Sequence, residues 1–279
     1  QVLASFLSLK KNKMFGPAPS VALEIASQTG GSDISFYVSV PKYLESLFEK
    51  FIQGVYPKAV VEIVPEDYTV FEPKGETVGA YLKLKESFLF PISTYQKLEK
   101  DPISTITNNL SKIAADEGAA IQVIIKPLMS SKFKKSGEKA LQKIREGKKV
   151  SIAVSEAVQG GFMNFLSDTF KSYPSPQKKQ QEDVYKEKEQ GYDQASYEAI
   201  QSKIQKQSFE TNIRLIASAQ SKERAQDILN HLIAAFSQFS LLAQNSLIPR
   251  EVKGKGLKKL IFEFSFRNFN NSQKNILNI

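Results

Sequence analysis

The stretch ISFYVSVPKYLESLFEKFIQGV, residues 34–55, carries two periodicities in one short run. Ile34, Phe36, Val38 and Val40 alternate with Ser35, Tyr37 and Ser39, the pattern of a half-buried strand, and Pro41 ends it. Leu44, Leu47, Phe48, Phe51, Ile52 and Val55 then recur at helical spacing, so the helix expected over 42–55 presents one apolar stripe to a sheet. Tyr56-Pro57 stops it.

Working outward, Val21, Leu23 and Ile25 alternate ahead of Thr29-Gly30-Gly31-Ser32, which predicts an extra strand joined to the first by a hairpin. Val60–Val64 reads as a short strand, and Ala80, Leu82 and Leu84 alternate as another. Asp101 is placed to cap a helix whose first turn holds Pro102 and whose stripe is Ile103, Ile106, Leu110 and Ile113, predicting 102–115. Ile121, Val123 and Ile125 close the unit as a strand that reaches Pro127. The order over 34–126 is βαββαβ, the ferredoxin-like arrangement, which sets both helices on one face of an antiparallel sheet. Leu47, Phe51, Ile106, Leu110 and Val123 are its expected core.

The same order restarts at Phe209. Ile213, Leu215, Ala217 and Ala219 alternate, Ser221 is placed to cap a helix striped by Ala225, Ile228, Leu229 and Leu232, and Leu247-Ile248 and Leu260, Phe262, Phe264 and Phe266 read as two strands. The second unit lacks a second helix and a final strand, and the Asn-rich residues 268–279 supply no closing element. The fold class is therefore α+β: two ferredoxin-like lobes with antiparallel sheets, spanning 20–128 and 207–270, joined by a long charged insert, 129–206. Within the insert, Val150–Phe170 has the apolar spacing of a short amphipathic helix, while Lys171–Gln207 has too few apolar residues to fold alone and reads as a mobile linker or an exposed charged helix.

The chain has 279 residues and no cysteine, which rules out disulfides and thiolate metal sites. No apolar run approaches the ~18 residues of a spanning helix, and residue 1 is Gln, so the chain reads as part of a longer protein. The net charge of +9 is uneven: +3 over residues 1–19, −4 over 20–128, +5 over 129–206 and +5 over 207–279. Such asymmetry favours contact with polyanions or an anionic surface.

The residues name no reaction. His231 is the only histidine and has no converging partner at helical spacing. Glu66-Asp67 and Asp116-Glu117 are adjacent acids in turns, which does not bring two carboxylates onto one substrate. No phosphate-cradling G-x-x-x-x-G-K-[ST] occurs, and Gly254-Lys255-Gly256 reads as a hairpin-type turn. No cofactor, metal or catalytic residue is expected, and the chain is read as not an enzyme. The functional candidates are two basic clusters that suit phosphate groups: Lys132, Lys134, Lys135, Lys139, Lys143, Arg145, Lys148 and Lys149 in the insert, the first three above all, and Arg250, Lys253, Lys255, Lys258 and Lys259 around the later turn. Both also read as solvated loops. The shared face of Phe262, Phe264 and Phe266 is either a base-stacking platform or, as favoured here, part of a core.

Taken together, Ile34-Ser-Phe-Tyr-Val-Ser-Val-Pro41, Tyr56-Pro57, Glu66-Asp67-Tyr68, Phe90-Pro91-Ile92, Asp101-Pro102, Glu117-Gly118-Ala-Ala-Ile-Gln122 with Pro127, and Ile213-Arg214 resemble an uncharacterised domain. That domain occurs in membrane-associated proteins of candidate-phylum bacteria (Patescibacteria), of the type IV secretion or conjugative-transfer ATPase-like kind. The resemblance covers most of residues 1–270. It implies transmembrane helices ahead of the domain and a coupling-protein-like ATPase domain after it, both outside these residues, so no ATP chemistry passes to any residue here. The expected function is a non-catalytic, cytoplasm-facing domain for assembly or cargo presentation in a membrane-anchored secretion or DNA-transfer protein, with protein partners or self-assembly and no small-molecule substrate. The alternative is a stand-alone, sequence-nonspecific nucleic-acid-binding module, with DNA or anionic lipid as the polyanion.

Overall fold

The computed structural model describes residues 19–158 and 193–278, apart from 32, 95–97, 99–100, 129 and 242–243. Its elements in chain order are β1 (Val21–Ser27), β2 (Ile34–Ser39), a short 3-10 turn (Lys42–Leu44), α1 (Glu45–Val55), β3 (Glu76–Leu84), α2 (Pro102–Leu110) and β4 (Gly118–Pro127). These are followed by α3 (Lys132–Arg145), the helical residues 150–158 as α4, α5 (Gln194–Gln205), β5 (Ser208–Ala219), α6 (Lys222–Ala235), β6 (Leu247–Val252), α7 (Lys255–Ser265) and β7 (Asn275–Asn278). The start signals act as expected: Asp101 accepts from the Ile103 amide with Pro102 in the first turn, and Ser221 accepts from the Arg224 amide. Each cap satisfies an amide that the helix itself leaves free.

The α+β class holds, with all seven strands in one antiparallel sheet ordered β2-β1-β4-β5-β3-β6, and β7 also paired to β5. The strands of the two sequence units therefore do not form two separate sheets, as the two-lobe reading expects. β5 lies between β4 and β3, so the spans 20–128 and 207–270 are interleaved. The reason is visible along β5, where eleven of twelve residues are buried. A strand covered on both faces belongs in the middle of a sheet. β7 continues the lane of β3 along β5, and the Asn275 side chain bridges the gap by accepting from the Leu84 amide and donating to the Leu82 carbonyl, both at 2.9 Å.

On one face, Leu82 and Ala80 of β3, Ile121 of β4 and Leu215 of β5 pack under Ile106 and Leu110 of α2 and Leu229 and Leu232 of α6. Leu44 and Phe48 pack beside them on Val21 and Ile125, with Val123 shared between the two groups, so α1, α2 and α6 cover the same face. Of the five expected core residues, Ile106 and Leu110 are buried, while Leu47, Phe51 and Val123 are half-buried. On the opposite face, α7 sets Phe264 against Ala26, Ala120 and Ile216. Gly79 makes that approach possible, since a Cβ there would meet Leu260 at 2.8 Å.

Four local expectations are corrected. Val60–Val64 is irregular and largely exposed: Pro57 and Pro65 flank it, and proline cannot donate to a ladder. Leu260–Ser265 belongs to α7 rather than to a strand, and Phe266 caps it, with Leu260 and Phe264 buried one turn apart and Phe262 and Phe266 outside. The second unit is closed, by α7 and by β7 in the Asn-rich tail. Part of the Lys171–Gln207 linker is helix α5, whose Tyr197, Ile200 and Ile204 join Phe133, Leu141 and Ile144 of α3 and Val154 of α4 in a separate apolar cluster. The helix expected from Val150 is present as far as residue 158, and the rest of that stretch, like 171–192, lies outside the described residues.

Candidate functional site on the α7 face

A line of polar and aromatic residues crosses the sheet beneath α7. Strand register sets Tyr37 (β2), Glu24 (β1), Gln122 (β4), Arg214 (β5), Tyr81 (β3) and Arg250 (β6) side by side. In its middle Arg214 is fully buried and completely occupied. It donates to Gln122 Oε1 (2.9 Å), Gln273 Oε1 (2.8 Å), Asn212 Oδ1 (3.3 Å) and the carbonyls of Glu263 (2.9 Å) and Asn268 (2.6 Å). The Glu263 carboxylate stands 3.6 Å away and supplies the opposite charge that a buried guanidinium requires. Burial lowers the Arg214 pKa to about 10, partly offset by Glu263, and the group stays charged at neutral pH. Gln122 hands the line on, donating to Glu24 Oε1 at 2.6 Å and to the Phe264 carbonyl at 2.9 Å.

The end of α7 is fixed from the same line. Arg267 has φ +52°, a left-handed conformation uncommon outside glycine. It sits just past the helix, where Asn268 N donates to Glu263 O and Arg267 N to Phe264 O, so the last carbonyls are satisfied by a left-handed cap. What holds an arginine there is its side chain, which pairs with Glu24 (2.9 Å) and bidentately with Asp67 (2.7 and 2.8 Å). The Arg267 hydrogen bonds hold the Asp67 carboxyl below the usual carboxylate range. Tyr68 stacks on Tyr37 with ring centroids 4.3 Å apart, and burial beside the Glu24 carboxylate pushes its phenol pKa up. Ser20, Ala22, Ser39, Val40, Pro41, Phe266, Arg267 and Asn268 line a shallow cleft there.

The outer side of α7 has a different character. Lys255, Lys258, Lys259, Phe262 and Phe266 follow helical spacing on the exposed side, with Phe262 55% and Phe266 66% exposed and their rings 4.7 Å apart. Of the second basic cluster, Arg250 is on exposed β6, Lys253 lies in the turn, and Lys255, Lys258 and Lys259 are on α7, where Lys259 approaches Glu263 at 3.8 Å. Lys132, Lys134 and Lys135 of the first cluster are exposed at the start of α3, whose first turn holds no acidic residue. They stand on the helical cluster rather than on the α7 face, so the two groups belong to different layers. Gly254 begins α7 at φ +55° rather than forming the tip of a hairpin.

The acidic pairs separate in the fold. Glu117 binds Arg224 through two hydrogen bonds of 2.5 and 2.9 Å, which lower its pKa, while Asp67 serves Arg267. His231 is exposed on α6, where its carbonyl accepts from Asn109. No cluster of three or more His, Cys, Asp or Glu suited to a metal ion occurs among the described residues, and no helix among them is long and apolar enough to cross a membrane. Sequence reasoning names Arg214 only within a motif and gives Arg267 no role. The signal for Arg214 is an arginine within a long strand of alternating apolar residues, a charge that must find partners when both faces are covered.

The fold and this face define an α+β domain built on one antiparallel sheet, with an amphipathic helix laid over a buried polar line. The chain belongs to a family of domains of unknown function, DUF8128, whose model matches residues 1–274. No curated protein matches it.

Proposed function

We propose that this chain is a non-catalytic assembly domain working at the cytoplasmic face of a membrane, held against anionic lipid by the outer side of α7. The observation that carries this reading is the pairing, on one exposed helix side, of Phe262 and Phe266 with Lys255, Lys258 and Lys259. Two exposed phenylalanines one turn apart gain by entering the headgroup boundary, and each lysine beside an anionic leaflet adds about 1 kcal/mol. Buried Leu260 and Phe264 anchor the helix to the sheet, so docking needs no unfolding. The resemblance to secretion and conjugative-transfer proteins supplies the setting, in which an anchor elsewhere in the protein brings this face to the bilayer and the domain assembles partners or presents cargo.

Co-sedimentation with phosphatidylserine-containing vesicles tests the contact. Binding is expected to weaken with salt, to be lost in Phe262→Ala/Phe266→Ala, and to be absent on neutral vesicles. Binding that survives both changes, or no binding at all, overturns it.

A second reading, nonspecific nucleic-acid binding, is favoured by Lys132, Lys134 and Lys135, exposed in a helix first turn that holds no acidic residue, with Glu138 one turn on at 4.0 Å from Lys134. Replacing Lys132, Lys134 and Lys135 with Gln would remove up to about three phosphate contacts, each worth a slope near −0.9 in log affinity against log salt on duplex DNA. A salt slope carried by these lysines, with phenylalanine variants that bind DNA normally, would favour this second reading.

A further inference from the structure

The two edges of the sheet are finished differently. β6, at one edge, exposes Pro249, Arg250 and Glu251, which are devices that discourage another strand from pairing. β2, at the other, reads ISFYVS and has no charge, no proline and no glycine. It pairs with β1 alone among the described residues, so its outer amides and carbonyls face away from the sheet. Phe36 is 60% exposed and Val38 39% exposed on the same side of this strand. On the other side Tyr37 is already stacked by Tyr68.

We infer that β2 is a self-pairing edge, which joins antiparallel to β2 of a second copy of this chain and extends the sheet across a twofold axis. Three observations select a second copy. A twofold contact sets each residue against the same patch, so an uncharged strand meets itself without repulsion, as an edge rich in one charge could not. The charges flanking β2 are opposite, exposed Asp33 before it and exposed Lys42 after it, and antiparallel pairing brings the Asp33 end of one strand toward the Lys42 end of the other. The blunted β6 edge disfavours the head-to-tail alternative, in which copies would add without closing. Pairing would cover Phe36 and Val38 of both copies and satisfy the outer backbone groups of β2. This inference is independent of the lipid contact, since α7 lies over the middle of the sheet and uses none of these residues.

The test uses the whole chain and a charge exchange at Phe36. Light scattering coupled to size exclusion is expected to give the mass of two chains. Phe36→Lys alone and Phe36→Glu alone should each halve that mass, because a like charge then faces itself, and an equimolar mixture of the two should restore it. Circular dichroism checks that each variant is folded, and the pair Val38→Lys and Val38→Glu gives the same readout if a Phe36 variant is not. A wild-type mass of one chain, a folded Phe36→Lys protein that keeps the wild-type mass, or a mixture that stays at one chain overturns the inference.

Discussion

Arg214 and Leu215 are neighbours in β5 that point to opposite faces of the sheet, and both are fully buried, yet they are held by opposite means. Leu215 enters a cluster of aliphatic side chains from β3, β4, α2 and α6, where many weak contacts tolerate small changes in shape. Arg214 enters a shell of named acceptors, each at a fixed distance, and removing any one exposes the cost of the others. The apolar face stabilises the sheet, while the polar face dictates which strand alignment and which seat for α7 are allowed. A charged line is a poor source of net stability and a strong source of specification.

The largest test of this contrast is Arg214→Ala. It takes the buried cation away from the Glu263 carboxylate and the donor away from Gln122 Oε1, and is expected to cost about 3–5 kcal/mol in chemical denaturation. Adding Glu263→Leu and Gln122→Leu should recover much of that loss, because the stranded groups are removed with it; a triple variant no better than the single one would show that Arg214 acts through packing instead. Next comes Leu215→Ala, expected to cost about 2–5 kcal/mol by leaving a cavity. No second substitution on the polar face should rescue it, because distant independent sites add.

The buried lysines sharpen the comparison, since among the described residues they donate to backbone carbonyls and not to a carboxylate. Lys203 donates to the Phe90 carbonyl, and burial lowers its pKa to about 7; Lys83 donates to the Ser272 and Lys274 carbonyls, and burial first, then neighbouring Lys274 and Arg250, lower its pKa to about 8. Between those values and the unfolded value of 10.5 the folded chain binds fewer protons than the unfolded one. Stability should therefore rise with pH across that window, by at most about 1.4 kcal/mol per pH unit for each lysine. Lys203→Met should flatten the rise from about pH 7 upward in denaturant titrations, and an unchanged slope would assign it elsewhere. The smallest effect is expected on the outer side of α7, where Phe262→Ala should change stability by no more than about 0.5 kcal/mol while removing vesicle binding when combined with Phe266→Ala. A large loss of stability there would mean that the side chain is part of the fold.

Local signals were legible wherever one residue type performs one task. Asp101, Ser221 and the alternation of Ile121, Val123 and Ile125 marked their elements because capping and face alternation act over a few residues. Which strands neighbour each other was not legible in this way. Nothing in the pattern of β3 or β4 says that β5 will sit between them, because pairing depends on the two-sided burial of β5 and not on order along the chain. The run Leu260–Phe266 was ambiguous for another reason: alternating large residues fit a strand, while Leu260 and Phe264 fit a helix equally well, and only the polar line needing a lid decides between them. At the candidate site, the lysines were readable as charge, but the two exposed phenylalanines that give the surface its chemistry were assigned to a core.

The position of β5 also sets a schedule. β3 is complete at Leu84 and β4 at Pro127, but the strand that joins them begins at Ser208. During synthesis at about 5–20 residues per second, roughly 6–25 s pass between the emergence of Leu84 and that of Ser208. Through that interval β3, and β4 once it has emerged, lack the partner they share, with an open edge and an uncovered aliphatic face on each, although β4 can already pair with β1. A ribosome-bound intermediate ending before residue 208 should accordingly engage holding chaperones, and release from them should follow the arrival of one strand.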